Sequence, residues 1–353
     1  MTEAFSSVVA IDELKSTFDE DQSFVKSPAR AEHASHSAIV DCSTRHRGEP
    51  SMSAVIDKIK AVATQASTAQ HGPELMGPSE YRYDPLRSEK VSIYQPDQPG
   101  LKFPGQPVFD DVKLERQYRK ERLVGACRAF ARANFSYGFA GHLTIRDPEH
   151  PELYWTNPMA VHFRQVKVSN LILCDHKGQV VEGDYALNRA GFVLHAAVHE
   201  AHPDILAMCH AHTTYGTAFA ALGKPLAPIS QDAAAFFEDH TLITDEAGQV
   251  AVEEGAGPKV ADWFKGVKAA IHQNHGLFSA SRHSIEAAAF WFMALERCCH
   301  QQLMVEATGV TPKLVPADKC RYSREHVGSE YIGWLHFQTI WNDLVRSEPD
   351  MFD

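Results

Sequence analysis

Residues 205–214 read ILAMCHAHTT, and this stretch carries the strongest evidence about both fold and function. Its apolar, partly β-branched character is typical of a buried strand. Successive side chains of a strand point to opposite faces, so His210 and His212 should share one face. At about 3.3 Å per residue their Cα atoms lie roughly 6.6 Å apart, which lets both imidazoles reach a single metal ion.

A third histidine belongs to a second apolar stretch. Residues 268–278 read KAAIHQNHGLF, which predicts another strand with His275 near its end. If the two strands are neighbours, the three histidines can bind one divalent ion and leave a coordination position open, as in catalytic zinc sites. Imidazole also suits other transition metals, so we expect zinc first, with iron or manganese as alternatives. The competing interpretation is that these are structural histidines of a buried core.

Composition narrows the class of protein. The chain has 353 residues, 44% of them hydrophobic, and a formal net charge of −11. This acidic balance argues against a nucleic-acid partner, and we find no apolar stretch long enough to span a bilayer. The seven cysteines form no CxxC pair, which fits reduced core residues. We therefore expect a cytoplasmic protein with a small-molecule substrate and no membrane partner.

The sequence divides into two regions. Residues 1–110 are rich in Ser, Ala, Asp, Gln and Pro and are expected to form a largely flexible extension, with a helical pattern only at 54–62. Residues 111–353 carry the regular apolar patterns of a folded domain. Strands that alternate with helices in mixed order predict an α/β layered domain. Besides the two histidine strands, we predict hairpins over 142–156 and 170–182, a strand over 241–244, and helices over 112–135, 188–201, 213–222, 258–265, 284–307 and 329–346.

Four short motifs occur in a specific order and spacing. They are GHLTIRDP at 141–148, FVLH at 192–195 followed by HPD at 202–204, HAH at 210–212, and NHGL at 274–277. Together they resemble the class II aldolase/adducin family, over a region of about two-thirds of the chain. The resemblance implies a three-layer α/β/α domain around a central, mostly antiparallel sheet. It also implies a homo-oligomer, commonly a tetramer with active sites at subunit interfaces.

The resemblance further implies a metal site. By similarity, His210, His212 and His275 would be the ligands. In the sugar-phosphate aldolases of the family the metal is usually zinc, which holds a hydroxy-carbonyl fragment of the substrate as an enediolate.

Two departures from those aldolases affect the chemistry. The aldolases have a glutamate acid/base four residues before the histidine that matches His195, and this chain has Gly191 there. Their phosphate-binding loop has an asparagine where this chain has His142. The first change removes the group that takes the proton in ordinary aldol cleavage, and the second disfavours a phosphorylated substrate. The motif at 141–148 resembles a divergent branch that includes adducin-like proteins, decarboxylases and iron-dependent oxygenases of secondary metabolism.

Four residues are candidates for the missing acid/base role. His195 can act beside the metal as a proton shuttle, or be a hydrogen-bonded core histidine. His142 lies on the loop that contacts substrate in the aldolases. Asp232 follows a strand end and can either lie over the metal or cap a helix, with capping favoured. Tyr331 can protonate a leaving group across a subunit interface, or simply pack there.

Three functional hypotheses follow. The leading one is a metal-dependent carbon–carbon lyase that carries out aldol cleavage or decarboxylation of a small hydroxy or keto acid. The second is a mononuclear non-heme iron oxygenase or decarboxylase on the same fold. The third is a non-catalytic, adducin-like scaffold, which the missing glutamate favours and the retained histidines oppose.

Overall fold

The computed structural model describes residues 75–76, 101–244 and 262–353. All of them belong to one unit of the chain, Pro50–Asp353. The predicted helical segment at 54–62 and the first part of the predicted helix at 258–265 lie outside the described residues, and residues 262–266 form turns. In the described part of the chain, no helix combines the length and apolar character needed to cross a membrane.

Within residues 75–76, 101–244 and 262–353, the strands form one large sheet and one small ladder. β1 (Leu75–Met76) and β2 (Phe103–Pro104) pair with each other, and the main sheet has the order β6-β5-β4-β3-β7-β10-β9-β8. Its pairs are antiparallel except for the parallel pair of β8 with β9. Its strands are β3 (Gly141–Arg146), β4 (Tyr154–Thr156), β5 (Ile172–Cys174), β6 (Val180–Glu182), β7 (Ala207–Ala211), β8 (His240–Ile243), β9 (Ala269–His272) and β10 (Gly276–Ser281).

Helices lie on both faces of this sheet. They are α1 (Val112–Arg132), α2 (Arg189–Ala201), α3 (Thr214–Ala220), α4 (Gln231–Ala234), α5 (Ile285–Ala307), α6 (Ala317–Val327) and α7 (Glu330–Ser347). Side chains of α1, α5 and α7 share one core with Cys209 and Ala211 of β7. Met208, from the opposite face of β7, packs in a second core with side chains of α2. The predicted three-layer α/β/α domain with a mostly antiparallel sheet is therefore confirmed.

Polar side chains define where the longer helices begin. Asp111, Ser284 and Ser329 accept hydrogen bonds from backbone N–H groups in the first turns of α1, α5 and α7. These caps satisfy donors that have no partner inside the helix. The predicted bounds of these three helices agree with the structure to within three residues at each end, whereas α6 was not predicted at all.

The region at 268–278 corrects one prediction. It is not one strand but the hairpin of β9 and β10, with a turn at 273–275. Asn274 adopts a φ of 57° in this turn, a left-handed conformation that asparagine tolerates better than most residues. As a result His275 lies in a turn rather than on a strand, beside the end of β7.

Candidate metal site

His210, His212 and His275 converge at the carboxyl-terminal end of β7. Leu277 of β10 pairs with Ala211, which brings the turn of the hairpin next to the two histidines of the HAH motif. The ring centroids are 5.1 Å apart for His210 and His212, 4.9 Å for His210 and His275, and 5.0 Å for His212 and His275. One ring nitrogen from each lies within 4.8 Å of the others, a spacing that permits all three to hold one ion.

The protonation of the rings suits a metal ion. Nδ1 of His210 lies 2.8 Å from the carbonyl oxygen of Leu277, which can only accept, so Nδ1 donates and Nε2 keeps its lone pair. Burial holds the pKa of His210 well below its usual value. Burial, together with the neighbouring His272 and His212, lowers the pKa of His275 to about 3. Neutral imidazoles are the form in which histidine binds metals, so the donor set fits a divalent ion.

Two contacts orient these ligands. The ring of Phe278 stacks on His210 with centroids 4.0 Å apart and 19° between the ring planes. Nδ1 of His275 lies 3.1 Å from Nδ1 of His272, the last residue of β9. Such partners fix ring orientation and ligand basicity in metal sites.

A buried carboxylate anchors the segment that follows His212. Glu296 of α5 accepts hydrogen bonds from Thr213 Oγ1 at 2.5 Å, Gly216 N at 2.6 Å and Tyr215 N at 3.0 Å. These donors belong to the beginning of α3, so the carboxylate acts as its cap from a distant helix. Sequence reasoning missed Glu296, because no local pattern links it to α3.

His142 and His195 belong to a buried chain of hydrogen bonds beside the cluster. His142 pairs with His210 across the β3–β7 ladder, and their ring centroids are 4.9 Å apart. Its Nδ1 lies 3.0 Å from Nε2 of His195. Nδ1 of His195 lies 2.8 Å from the hydroxyl of Thr144, which lies 2.9 Å from Nε2 of His199.

This chain ends on the backbone. Nδ1 of His199 lies 3.2 Å from the carbonyl oxygen of Ile205. Arg146 donates to the same carbonyl oxygen and to that of His199, and burial together with this guanidinium lowers the pKa of His199 to about 3. The imidazoles in this chain of hydrogen bonds are therefore neutral. Thr144 and His199 were not among the predicted site residues, because their contacts depend on how α2 docks on β3.

The other two candidates lie elsewhere in the subunit. Asp232, in the first turn of α4, faces Arg297 at 3.4 Å, and its side chain is 51% exposed. The cap of α4 is Ser230, not Asp232. Tyr331 is buried in α7, with its ring centroid 6.0 Å from that of His283 and 5.5 Å from that of Trp334. These contacts of Asp232 and Tyr331 are with residues other than the three histidines.

Comparisons with known proteins point in one direction. Residues 121–303 match the family model described as Class II Aldolase and Adducin N-terminal domain. The decarboxylase NovR of Streptomyces niveus is 40% identical over 247 residues, 69% of this chain and 90% of that protein. The 4-hydroxy-3-prenylphenylpyruvate oxygenase/4-hydroxy-3-prenylbenzoate synthase of Streptomyces roseochromogenus subsp. oscitans is 39% identical over 247 residues, 69% of this chain and 88% of that protein.

A solved structure has the same fold. L-fuculose 1-phosphate aldolase from Glaciozyma antarctica PI12 superposes with a TM-score of 0.65 at 36% identity. The match covers 70% of this chain and 97% of that one. The sequence and structure matches therefore cover much the same share of the chain.

Proposed function

The chain belongs to the class II aldolase and adducin family, and from this premise we propose that it is a metal-dependent enzyme that breaks a carbon–carbon bond in a small hydroxy or keto acid. The observation that carries the proposal is the convergence of three neutral histidines, whose ligand atoms lie within 4.8 Å of one another. A purely structural role would not require three rings to present lone pairs to one point.

A divalent ion held by His210, His212 and His275 would supply Lewis acidity to the oxygens of the substrate and stabilise negative charge that develops at carbon. Zinc is our first expectation for this ion. Iron and manganese remain alternatives, because imidazole nitrogen suits all three metals. Three neutral ligands leave the positive charge of the ion uncompensated, which favours an anionic substrate such as a carboxylate.

Among lyase reactions we propose decarboxylation rather than aldol cleavage. Aldol cleavage requires a base to remove a hydroxyl proton, and the anionic base of the aldolases is absent at Gly191. Burial holds the pKa of His142 well below its usual value, so that neutral ring is a weaker base than the missing carboxylate. Loss of carbon dioxide requires no such removal before the bond breaks. The similarity to a protein named as a decarboxylase supports this choice.

We propose that His142 is the polar group that contacts the substrate, with His195 behind it. Nδ1 of His142 is engaged with His195, so Nε2 is left to accept a hydrogen bond from a substrate hydroxyl or a water molecule. Asp232 and Tyr331 rank below it, because in this subunit the first pairs with Arg297 and the second is buried in a helix layer. We also propose a homo-oligomer, with a tetramer as the first expectation, which light scattering on the purified protein would test.

An oxygenase is the second candidate function. It is favoured by the 39% identity to a protein named as a prenylphenylpyruvate oxygenase. Iron in the histidine site would be the matching metal, since open positions beside neutral nitrogen ligands suit oxygen chemistry. The two candidates differ in whether turnover consumes oxygen.

Metal analysis followed by activity assays would test both candidates. We expect about one zinc, iron or manganese ion per chain, lost in a His210→Ala/His212→Ala variant and kept in His176→Ala, a variant of an exposed histidine. Carbon dioxide release from a panel of 3-oxo acids, 2-oxo acids and hydroxy acids, with and without oxygen, would then separate a decarboxylase, which forms an enolate from a 3-oxo acid without oxygen, from an oxygenase. Absence of bound metal after incubation with each ion would overturn the proposal in favour of a scaffold.

A further inference from the structure

Gly191 and His142, the two departures from the aldolase pattern, meet in space. A Cβ atom built on Gly191 would lie 2.2 Å from Cδ2 and 2.4 Å from Nε2 of His142. Both distances are far below van der Waals contact, so the imidazole occupies the volume in which a side chain at 191 would begin. A glutamate at 191 and a histidine at 142 therefore exclude each other in this conformation, and the two departures are one structural change.

The buried chain behind His142 sets which of its nitrogens carries the proton. The carbonyl oxygen of Ile205 can only accept, so Nδ1 of His199 donates to it and Nε2 of His199 accepts from Thr144. The Thr144 hydroxyl, having donated its hydrogen, accepts from Nδ1 of His195. Nε2 of His195 then accepts from Nδ1 of His142, which leaves Nε2 of His142 without a proton.

The opposite direction of the chain would require a charged His199. Only an imidazolium at His199 could donate both to Ile205 and to Thr144. Each later hydrogen bond would then run in the opposite direction, and His142 would accept at Nδ1 and carry its proton on Nε2. Arg146 opposes this charge, because its guanidinium donates to the carbonyl oxygens of Ile205 and of His199 itself. The other titratable ring that packs on His199 is that of Tyr154, which stacks on it with centroids 4.7 Å apart. None of these neighbours supplies a negative charge.

We infer that His142 replaces the acidic side chain of the aldolases as the polar group beside the metal site, fixed as a neutral ring that offers the Nε2 lone pair. Thr144, His195 and His199 are positioning residues that fix this tautomer through the chain. The use of that lone pair on a substrate rests on the proposed function, whereas the tautomer itself does not. A neutral acceptor thus stands where the aldolases have an anionic carboxylate.

Nitrogen NMR of the histidine rings tests the inference directly. The full-length protein, labelled with 15N-histidine, is measured metal-free and loaded with diamagnetic zinc, and the His142 signals are assigned from their loss in His142→Gln. We expect Nδ1 to be pyrrole-type and Nε2 pyridine-type in His142, and the same in His195 and His199 of the metal-free protein. A pyridine-type Nδ1 in His142 of the wild-type protein would overturn the inference.

Variants of Thr144 provide the second part of the test. Thr144→Val removes the hydroxyl and should convert His142 and His195 to a mixture of tautomers, whereas Thr144→Ser should keep the wild-type spectrum. The exposed His176 serves as the internal reference. An unchanged His142 spectrum in Thr144→Val would refute the positioning role.

Activity separates the two proposals. Where turnover is found, Thr144→Val should lower kcat by about tenfold or more with little change in KM, and Thr144→Ser should restore it. If no substrate is turned over, the proposed function fails, and the NMR spectra alone decide whether the tautomer assignment is correct. If turnover occurs and the spectra contradict the chain, only the inference about His142 fails.

Discussion

Substituting Gly191 with alanine should destabilise the protein, although alanine usually stabilises a helix. Gly191 lies in the first turn of α2, where its backbone N–H faces the side chain of Asn188 at 3.4 Å. At a free helical position, glycine to alanine would gain about 0.5–1 kcal/mol. Here the new methyl group would lie 2.2 Å from a ring carbon of His142. The ring must move, and it cannot move without lengthening its 3.0 Å hydrogen bond to His195.

The expected cost follows from these contacts. Overpacking a buried site costs about 1–3 kcal/mol, and a lost buried hydrogen bond costs about 1 kcal/mol more. After the gain in helix propensity is subtracted, Gly191→Ala should lower the free energy of unfolding by about 1–3 kcal/mol. Urea titrations of the metal-free protein measure this difference.

A double-mutant cycle isolates the contact between the two residues. In a His142→Ala background the methyl group has room, so Gly191→Ala should be neutral or stabilising by up to about 1 kcal/mol. The coupling free energy between the two sites should therefore be about 1–4 kcal/mol. If Gly191→Ala proves equally stable or more stable in the wild-type background, the claim that the two side chains exclude each other is refuted.

Three further predictions concern the same region. Acidification of the metal-free protein below pH 6.5 should destabilise it, because His199 has a pKa of about 3 when folded and 6.5 as its ordinary value, so the unfolded chain binds the proton first. The contribution of His199 alone is about 1.4 kcal/mol per pH unit, and the other buried histidines add to it. A His199→Gln variant should therefore show a smaller pH dependence in urea titrations than the wild-type protein, and an undiminished dependence would contradict the assignment. Glu296→Gln should lower the free energy of unfolding by about 2–4 kcal/mol and weaken zinc affinity by about tenfold, since the carboxylate anchors the beginning of α3. The exposed Glu152→Gln is the control variant, and equal effects of the two variants would contradict the anchoring role of Glu296. Zinc at about 100 times its Kd should stabilise the wild-type protein by about 2.7 kcal/mol and should not stabilise His212→Ala. If zinc raises the Tm of both proteins equally in thermal melts, it binds at a different site.

Much of the fold could be predicted because local patterns decided it. The apolar run at 205–214 correctly predicted a buried strand, although β7 covers only Ala207–Ala211. His210 therefore lies on the strand that pairs with β3 and β10, and His212 directly follows its end. The hairpins at 142–156 and 170–182 were also predicted from apolar runs flanked by turn residues. These features depend on neighbours along the chain, which the sequence displays directly.

The position of His275 shows where local pattern was insufficient. The apolar residues on both sides of Asn274 gave the appearance of one strand, but that residue adopts a left-handed conformation and reverses the chain. The Asn-His-Gly triplet was an available turn signal. The prediction that His275 reaches the other two histidines still held in the structure, because the turn lies beside the end of β7.

The contacts of Thr144 and Glu296 could not have been predicted locally. Thr144 is separated by 51 residues from His195 and by 55 from His199, and Glu296 by 83 from Thr213. Each contact requires a specific register of strands and a specific docking of a helix. Residue type alone makes a threonine in a strand and a glutamate in a long helix unremarkable.

The pairing of Gly191 with His142 changes the weight of the scaffold hypothesis. Considered alone, Gly191 means that the acidic group of the aldolases is missing, and this was the main argument for a non-catalytic protein. The 2.2 Å approach of a Cβ atom at 191 to His142 shows that the volume is filled by another polar ring rather than left vacant. That ring is held by a continuous chain of buried hydrogen bonds, and burying polar groups is costly unless each has a partner. A scaffold would gain nothing from such a chain that apolar packing could not supply, so the arrangement favours a site that still performs chemistry, with a neutral acceptor in place of an anionic one.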